Sequence, residues 1–334
     1  MNYRAFGSMP FRISELGFGC SRLGATPGRE SERECIQTVS NAFDSGINFF
    51  DTADIYGQGR SERLLGEVFQ NKRARVIFAT KVGYRLTALG SVAAKLRPVL
   101  EPLVRRVKGL GTGSKGAGNA LKEQSFSPDY IRAAIERSLR RLRTDYLDVI
   151  QLHNPPPEII DRGECFLALD DAKAQGKIRC YGVSCRNIED ALLCLRHAGI
   201  ASIQIPINVL EFDHAASALA LARARNVAVI ARQPLASGRL GELAGAGAAE
   251  SSTTRHGVCH GTARAFASEF LRRPNDCTVA QAALRFVLDL PGVSVVIAGM
   301  SSRKHLEENL GAVTRPRIED ESSGIQTAPL TTGP

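Results

Sequence analysis

Phe50-Asp51-Thr52-Ala53-Asp54-Ile55-Tyr56-Gly57 is the stretch on which the fold of this chain turns. It continues an apolar run, Gly46-Ile47-Asn48-Phe49-Phe50, that has the length and composition of a short buried strand. A carboxylate, Asp51, and a phenol, Tyr56, then follow just past the strand end, beside Gly57. Two later runs repeat the pattern. Arg75-Val76-Ile77-Phe78-Ala79-Thr80 ends in Lys81, and Tyr146-Leu147-Asp148-Val149-Ile150-Gln151-Leu152 ends in His153. Consecutive strand-like segments thus deliver Asp51, Tyr56, Lys81 and His153 at their C-terminal ends. In a (β/α)₈ barrel that rim is where the chemistry sits.

Outward from these runs, apolar strand-like segments alternate with amphipathic helix-like ones, which argues for parallel βαβ units. The candidate strands are Leu16–Gly19, Ile47–Asp51, Val76–Lys81, Leu147–His153, Ile178–Ser184, Ile203–Ile207, Val227–Ala231 and Val293–Ala298. They suffice to close a TIM barrel. Helices are expected over Ser31–Ser45 and over Pro128–Arg141, the latter with Ser127 as N-cap and Pro128 at the first helical position. Gly199, Gly241 and Gly311 read as helix or loop ends. Tyr3–Ile13 is expected to form a hairpin that plugs the barrel bottom. One barrel domain is expected over residues 1–316, with a polar mobile tail over 317–334.

Residues 84–126 form a long basic insertion after the third strand. It is expected to carry a helix over Val92–Lys108 and a flexible Gly109–Gly118 segment, together forming a lid over the substrate pocket. Gly111-Thr112-Gly113-Ser114-Lys115-Gly116 formally spells GxGxxG, but no strand precedes it and no helix opens on it, so it reads as a loop. Gly241–Gly261 is a second irregular stretch, small and polar.

Composition narrows the function classes. Apolar residues make up 43% of the 334 residues, enough for a sizeable core, and no run is long enough to span a membrane. The N-terminal residues lack a signal-peptide core. The 8 cysteines contain no CxxC pair, which fits reduced thiols and a cytoplasmic protein. The net charge of +9 comes with sparse aromatics, no Trp and no nucleic-acid motif, so a nucleic-acid partner is not expected. Of the 6 histidines only His153 ends a strand. A metal-dependent barrel hydrolase needs several converging ligands, so no metal is expected, and the loop cluster His256, Cys259, His260 is a weak candidate.

Four stretches carry a family resemblance. They are the opening octapeptide, Ala79-Thr80-Lys81-Val82-Gly83, Leu139-Arg140-Arg141-Leu142-Arg143-Thr144-Asp145-Tyr146-Leu147-Asp148, and Leu152-His153-Asn154-Pro155. In this order, over nearly the whole chain, they resemble the aldo-keto reductases. The resemblance implies a TIM barrel, a nicotinamide cofactor and reduction of a small aldehyde or ketone, or the reverse oxidation. It implies Tyr56 as proton donor, Lys81 as the cation that lowers the phenol pKa, Asp51 as the anchor of Lys81, and His153 as a hydrogen-bonding partner of the substrate oxygen. Plainer readings exist for each residue alone: a rim ion pair, a turn tyrosine, a strand-capping histidine. A cofactor-sensing subunit of the same fold, with little turnover, is the competing function.

The same resemblance assigns the cofactor contacts. Gly19 ends the first strand with Cys20 just after it, Asp51 ends the second, and Ser184 and Gln204 end or lie in the fifth and sixth at the carboxamide positions. After strand seven, Ala231-Arg232-Gln233-Pro234-Leu235-Ala236-Ser237-Gly238-Arg239-Leu240 is similar to a pyrophosphate loop, with Arg232, Pro234, Leu235, Ser237, Gly238 and Leu240 as contacts. After strand eight, Gly299, Ser301, Arg303, His305, Glu308 and Asn309 are implied. Ser301 or Ser302 would cap a helix whose N-terminus faces phosphate. Two departures stand out. Cys185 replaces the usual Asn after Gly-Val-Ser, and Arg232 replaces an aromatic that stacks on nicotinamide in many relatives. Arg303, Lys304 and His305 favour NADP(H) on electrostatic grounds, with NAD(H) possible because the family's typical lysine position aligns with Gly299.

Overall fold

The computed structural model describes residues 1–24, 29–87, 122–240, 277–300 and 302–314. The helix expected over 92–108, the Gly-rich 109–118 segment, the 241–261 stretch, Ser301 and the tail all lie outside the described residues. So do His256, Cys259 and His260.

Eight parallel strands close a barrel. In chain order they are β3 (Leu16–Gly19), β4 (Phe49–Asp51), β5 (Ile77–Val82), β8 (Leu147–His153), β9 (Ile178–Ser184), β10 (Ser202–Pro206), β11 (Ala228–Arg232) and β12 (Val293–Gly299). Each pairs with the next, and β12 closes on β3 through Val296–Leu16 to Gly299–Gly19. The expected strands match these within two residues. Such short apolar runs have no free face. Barrel neighbours bond both edges, the interior takes alternate side chains and the helices cover the rest.

That alternation positions the site. Phe49, Ile77, Ala79, Val149, Ala228 and Ile230 form one buried cluster inside the barrel. Two residues further along the same strands stand Asp51, Lys81, Gln151 and Arg232, on the same inward side by the two-residue period. The interior is therefore apolar low and polar high. The low end is sealed by a hairpin of β1 (Tyr3–Phe6) and β2 (Met9–Ser14), paired antiparallel. Its Phe6 and Ile13 are fully buried in the same cluster.

The outer helices that bear on the site are α3 (Pro128–Leu142), α8 (Val279–Asp289) and α9 (Arg303–Val313). The first helix, α1, spans Arg29–Asp44, and α2 spans Arg60–Val68. Ser127 caps α3, its side chain accepting from the Tyr130 N–H, with Pro128 at the first turn. Gly311 departs from expectation: it lies inside α9, not at an end. A Cβ there would stand 2.2 Å from Gln281 Nε2, so this glycine permits close packing of α8 on α9.

Between β5 and α3 the chain makes a second hairpin, β6 (Tyr84–Leu86) with β7 (Lys122–Gln124). It ties together the two ends of the inserted segment at the rim, directly after Lys81.

Candidate active site

Asp51, Lys81, Gln151 and Gln204 come from four strands and meet at the top of the barrel interior, each at most 3% exposed. Lys81 Nζ donates to Asp51 Oδ2 at 2.6 Å and to the Thr52 carbonyl at 2.9 Å. Asp51 Oδ1 accepts from Gln204 Nε2 at 2.9 Å and from Gln151 Nε2 at 3.4 Å. A carboxylate buried this deeply is tolerable because both oxygens are occupied by donors. Gln151 is a member that the sequence reading missed. Its signal is parity, two residues before His153 on the same strand.

Tyr56 lies over this pair. Lys81 Nζ is 5.2 Å from the phenol ring centroid. The His153 ring stands edge-on to Tyr56, with centroids 6.0 Å apart at 87°. Tyr84 of β6 also packs against His153, centroids 4.9 Å apart and likewise at 87°. The four sequence-identified residues thus form one constellation.

Its electrostatics differ from expectation in one respect. Burial pushes the Tyr56 phenol above its ordinary pKa, and Asp51 pushes the same way, while Lys81 pulls it down without winning. The phenol therefore holds its proton at neutral pH. For Lys81, burial acts to lower the pKa, but Asp51 and Tyr56 outweigh it and hold the ammonium above its ordinary value. Lys81 is a fixed cation.

A cavity of about 600 Å³ opens from this constellation. Asp51, Tyr56, Gln204 and Arg232 line it, together with Gly19. The loop after β11 adds Gln233, Pro234, Leu235, Ser237 and Gly238. The end of β12 and the start of α9 add Gly299, His305, Glu308 and Asn309. Ser21, Arg22, Ile297 and Ala298 also line it and were not singled out from sequence.

Other expected contacts stand elsewhere. Cys20 is fully buried, its thiol directed at the Phe18 carbonyl. Leu240 packs in a separate cluster with Val209, Leu210 and Ala283. Ser184 is 2% exposed, and its carbonyl accepts from the Asn154 N–H. Arg303 is exposed and paired with Glu307 at 2.7 Å, off the cavity wall. Cys185 turns its thiol into the core, 3.6 Å from the Val183 carbonyl and 3.9 Å from Cys194 Sγ. Its carbonyl faces the other way and accepts from Arg232 Nη2 at 2.9 Å.

The cavity suits an elongated anionic nucleotide. Gln233, Ala236, Ser237 and Gly238 all have positive φ, so the loop turns tightly against the cavity, with the Ala236 and Gly238 N–H groups donating to the Gln233 and Leu235 carbonyls. A Cβ at Gly238 or Gly299 would meet nothing within 4 Å, so that wall is open. Ser302 caps α9, its side chain accepting from the His305 N–H, so the positive end of that helix begins beside the cavity. Among the described residues no cluster of three or more His, Cys, Asp or Glu is placed to hold a metal. Among them, too, no helix is long and apolar enough to cross a membrane.

Comparison with known proteins agrees with this architecture. Residues 15–327 match the model of the aldo/keto reductase family. The chain is 30% identical to the uncharacterized oxidoreductase YqkF of Bacillus subtilis, over 98% of this chain and 96% of that one. It is 28% identical to L-galactose dehydrogenase of Arabidopsis thaliana, over 98% and 91%. Among solved structures, aldo-keto reductase AKR11C1 from Bacillus halodurans superposes with a TM-score of 0.70 at 27% identity, covering 95% of this chain and 92% of that one. A closed parallel barrel, a polar constellation at its rim and a family match over nearly the full length lead to one conclusion: this chain belongs to the aldo/keto reductase family and is an NAD(P)H-dependent oxidoreductase acting on carbonyl substrates.

Proposed function

We propose that the protein interconverts an aldehyde or ketone and the alcohol using NADP(H), with Tyr56 as the proton donor in reduction. The observation that carries this reading is the Tyr56 phenol beside a buried Lys81–Asp51 pair, at the wall of a nucleotide-sized cavity.

A bound nicotinamide supplies the hydride that adds to the carbonyl carbon. The protein supplies the rest. Tyr56 gives its proton to the carbonyl oxygen as negative charge develops there. The phenolate left behind faces the Lys81 ammonium, which Asp51 and the Thr52 carbonyl hold in place. His153, edge-on to Tyr56, orients the substrate oxygen. Solvent then returns a proton to Tyr56. The loop after β11 and the N-terminus of α9 hold the phosphates. Arg22 on the cavity wall supplies charge that suits a 2′-phosphate, and His305 on the same wall supplies a ring N–H donor, which favours NADP(H) over NAD(H).

The test is Tyr56→Phe, assayed by NADPH oxidation with a panel of aldehydes, ketones and sugars. The variant keeps NADPH affinity and loses about 10²–10⁴-fold in kcat, the usual contribution of general acid catalysis. A variant with wild-type kcat sinks the assignment. A wild-type protein that binds NADPH but turns over none of the panel favours the cofactor-sensing subunit instead.

A further inference from the structure

We infer that Arg232 makes this enzyme bind the reduced cofactor more tightly than the oxidised one, by fixing an uncompensated positive charge beside the redox ring. The inference deepens the proposed function and rests on it.

The proton donor and the hydride donor must reach the same carbonyl. The redox ring therefore lies with Tyr56, Asp51, Gln204 and Arg232, and not with the small residues of the phosphate loop. In that group the charges do not cancel. Lys81 and Asp51 neutralise each other at 2.6 Å. Tyr56 is a neutral phenol, and Gln204 is an amide already donating to Asp51. The charge left over is the guanidinium of Arg232, which stays ionised in proteins even where burial lowers its pKa.

That charge is also held in place. Arg232 Nη2 donates to the Cys185 carbonyl at 2.9 Å and lies 3.5 Å from the Arg186 carbonyl. Its Nε is enclosed without a protein partner. Both contacts are backbone oxygens, so the guanidinium is anchored without being neutralised. The turned-in thiol of Cys185 completes the arrangement: the residue contributes a carbonyl to Arg232 and no side chain to the cavity.

The oxidised nicotinamide ring carries a positive charge and the reduced ring carries none. A neighbouring fixed cation in a partly desolvated cavity penalises only the oxidised form. An aromatic side chain in this position would do the reverse, since its ring face attracts cations. The functional consequence is ready release of oxidised cofactor and weak product inhibition by it.

The experiment measures the dissociation constants of NADPH and NADP⁺ by calorimetry for the wild type, Arg232→Gln and Arg232→Lys. The wild type is expected to bind NADPH about tenfold more tightly than NADP⁺, a size set by one screened charge pair. Arg232→Gln removes the charge but keeps a planar donor, and brings the ratio close to one. Arg232→Lys keeps the charge and the ratio. A measurement needing no variant uses 2′-phospho-ADP-ribose, which lacks the ring: it binds the wild type at least as tightly as NADP⁺ does. A wild-type ratio near one, a ratio unmoved in Arg232→Gln, or NADP⁺ binding more tightly than the ringless analogue overturns the inference and leaves the proposed function standing. A wild type that binds none of the three overturns both.

Discussion

Tyr56 must keep a proton until the substrate oxygen needs it and then tolerate the negative charge. Burial serves the first requirement, and Lys81 serves the second. Lys81→Met is expected to lower kcat by about 10²–10⁴-fold, read by NADPH oxidation. It also strands Asp51 with only amide donors, at a cost of about 3–5 kcal/mol in chemical denaturation. Unchanged kcat would remove Lys81 from the proposed role. A second carboxyl nearby, Asp54, lacks the full set of donors that Asp51 has. Asp54 donates its backbone N–H to the Lys81 carbonyl, but its Oδ1 is enclosed without a partner. Burial, then the neighbouring Glu62, push its pKa up to about 7, against the pull of Arg141, Arg137 and the Tyr130 hydroxyl. The folded state thus binds a proton that the unfolded chain gives up near pH 4. The associated stability is full below about pH 4 and is lost as pH rises through about 7. Asp54→Asn should flatten that slope and raise stability at pH 8 by on the order of 1–3 kcal/mol. Parallel pH–stability curves for the two proteins would rule this out.

The hairpin of β6 and β7 is the element that binds the rim together. Gln124 Nε2 donates to the carbonyls of Asn154 at 2.9 Å and His153 at 3.3 Å. Tyr84 packs its ring against His153, and the Tyr130 hydroxyl donates to the Tyr84 carbonyl at 2.7 Å. The strand before it turns at Gly83, where φ is +138° and a Cβ would stand 2.5 Å from the Phe126 ring. Gly83→Ala therefore meets both backbone strain and overpacking. It is expected to cost about 1–3 kcal/mol and to lower kcat through a displaced His153, measured by thermal melts and steady-state kinetics. A variant as stable and active as wild type would show that the rim does not depend on this turn. The inserted segment could be recognised from its length alone. The hairpin at its root could not, because Lys122–Gln124 is too short and polar to read as a strand without its partner.

At the scale of the whole molecule, the barrel is closed below by an apolar plug and left polar above, so a bound cofactor adds contacts only to the folded state. NADPH at 100 times its dissociation constant should stabilise the protein by about 2.7 kcal/mol, seen as a rise in Tm. NADH at equal concentration should do less. Replacing Arg22 and His305 together by Ala should erase most of the difference, and an unaltered difference would take the 2′-phosphate away from them. The barrel was legible in the chain because each strand is a local apolar run with a turn signal on either side. Asp51, Tyr56, Lys81 and His153 stood out because a polar residue at the end of such a run is a local anomaly. Tertiary structure alone decided the remainder. The amides of Gln151 and Gln204 meet Asp51 across 100 and 153 residues of sequence. Arg22 comes to the cavity wall while Arg303 turns to Glu307. Burial overrides Lys81 at Tyr56, and the thiol of Cys185 turns inward and leaves Arg232 its carbonyl. The physical reason is one of range: strand period and turn chemistry act over a few residues, whereas burial, charge balance and side-chain direction depend on which distant strands the closed barrel makes neighbours.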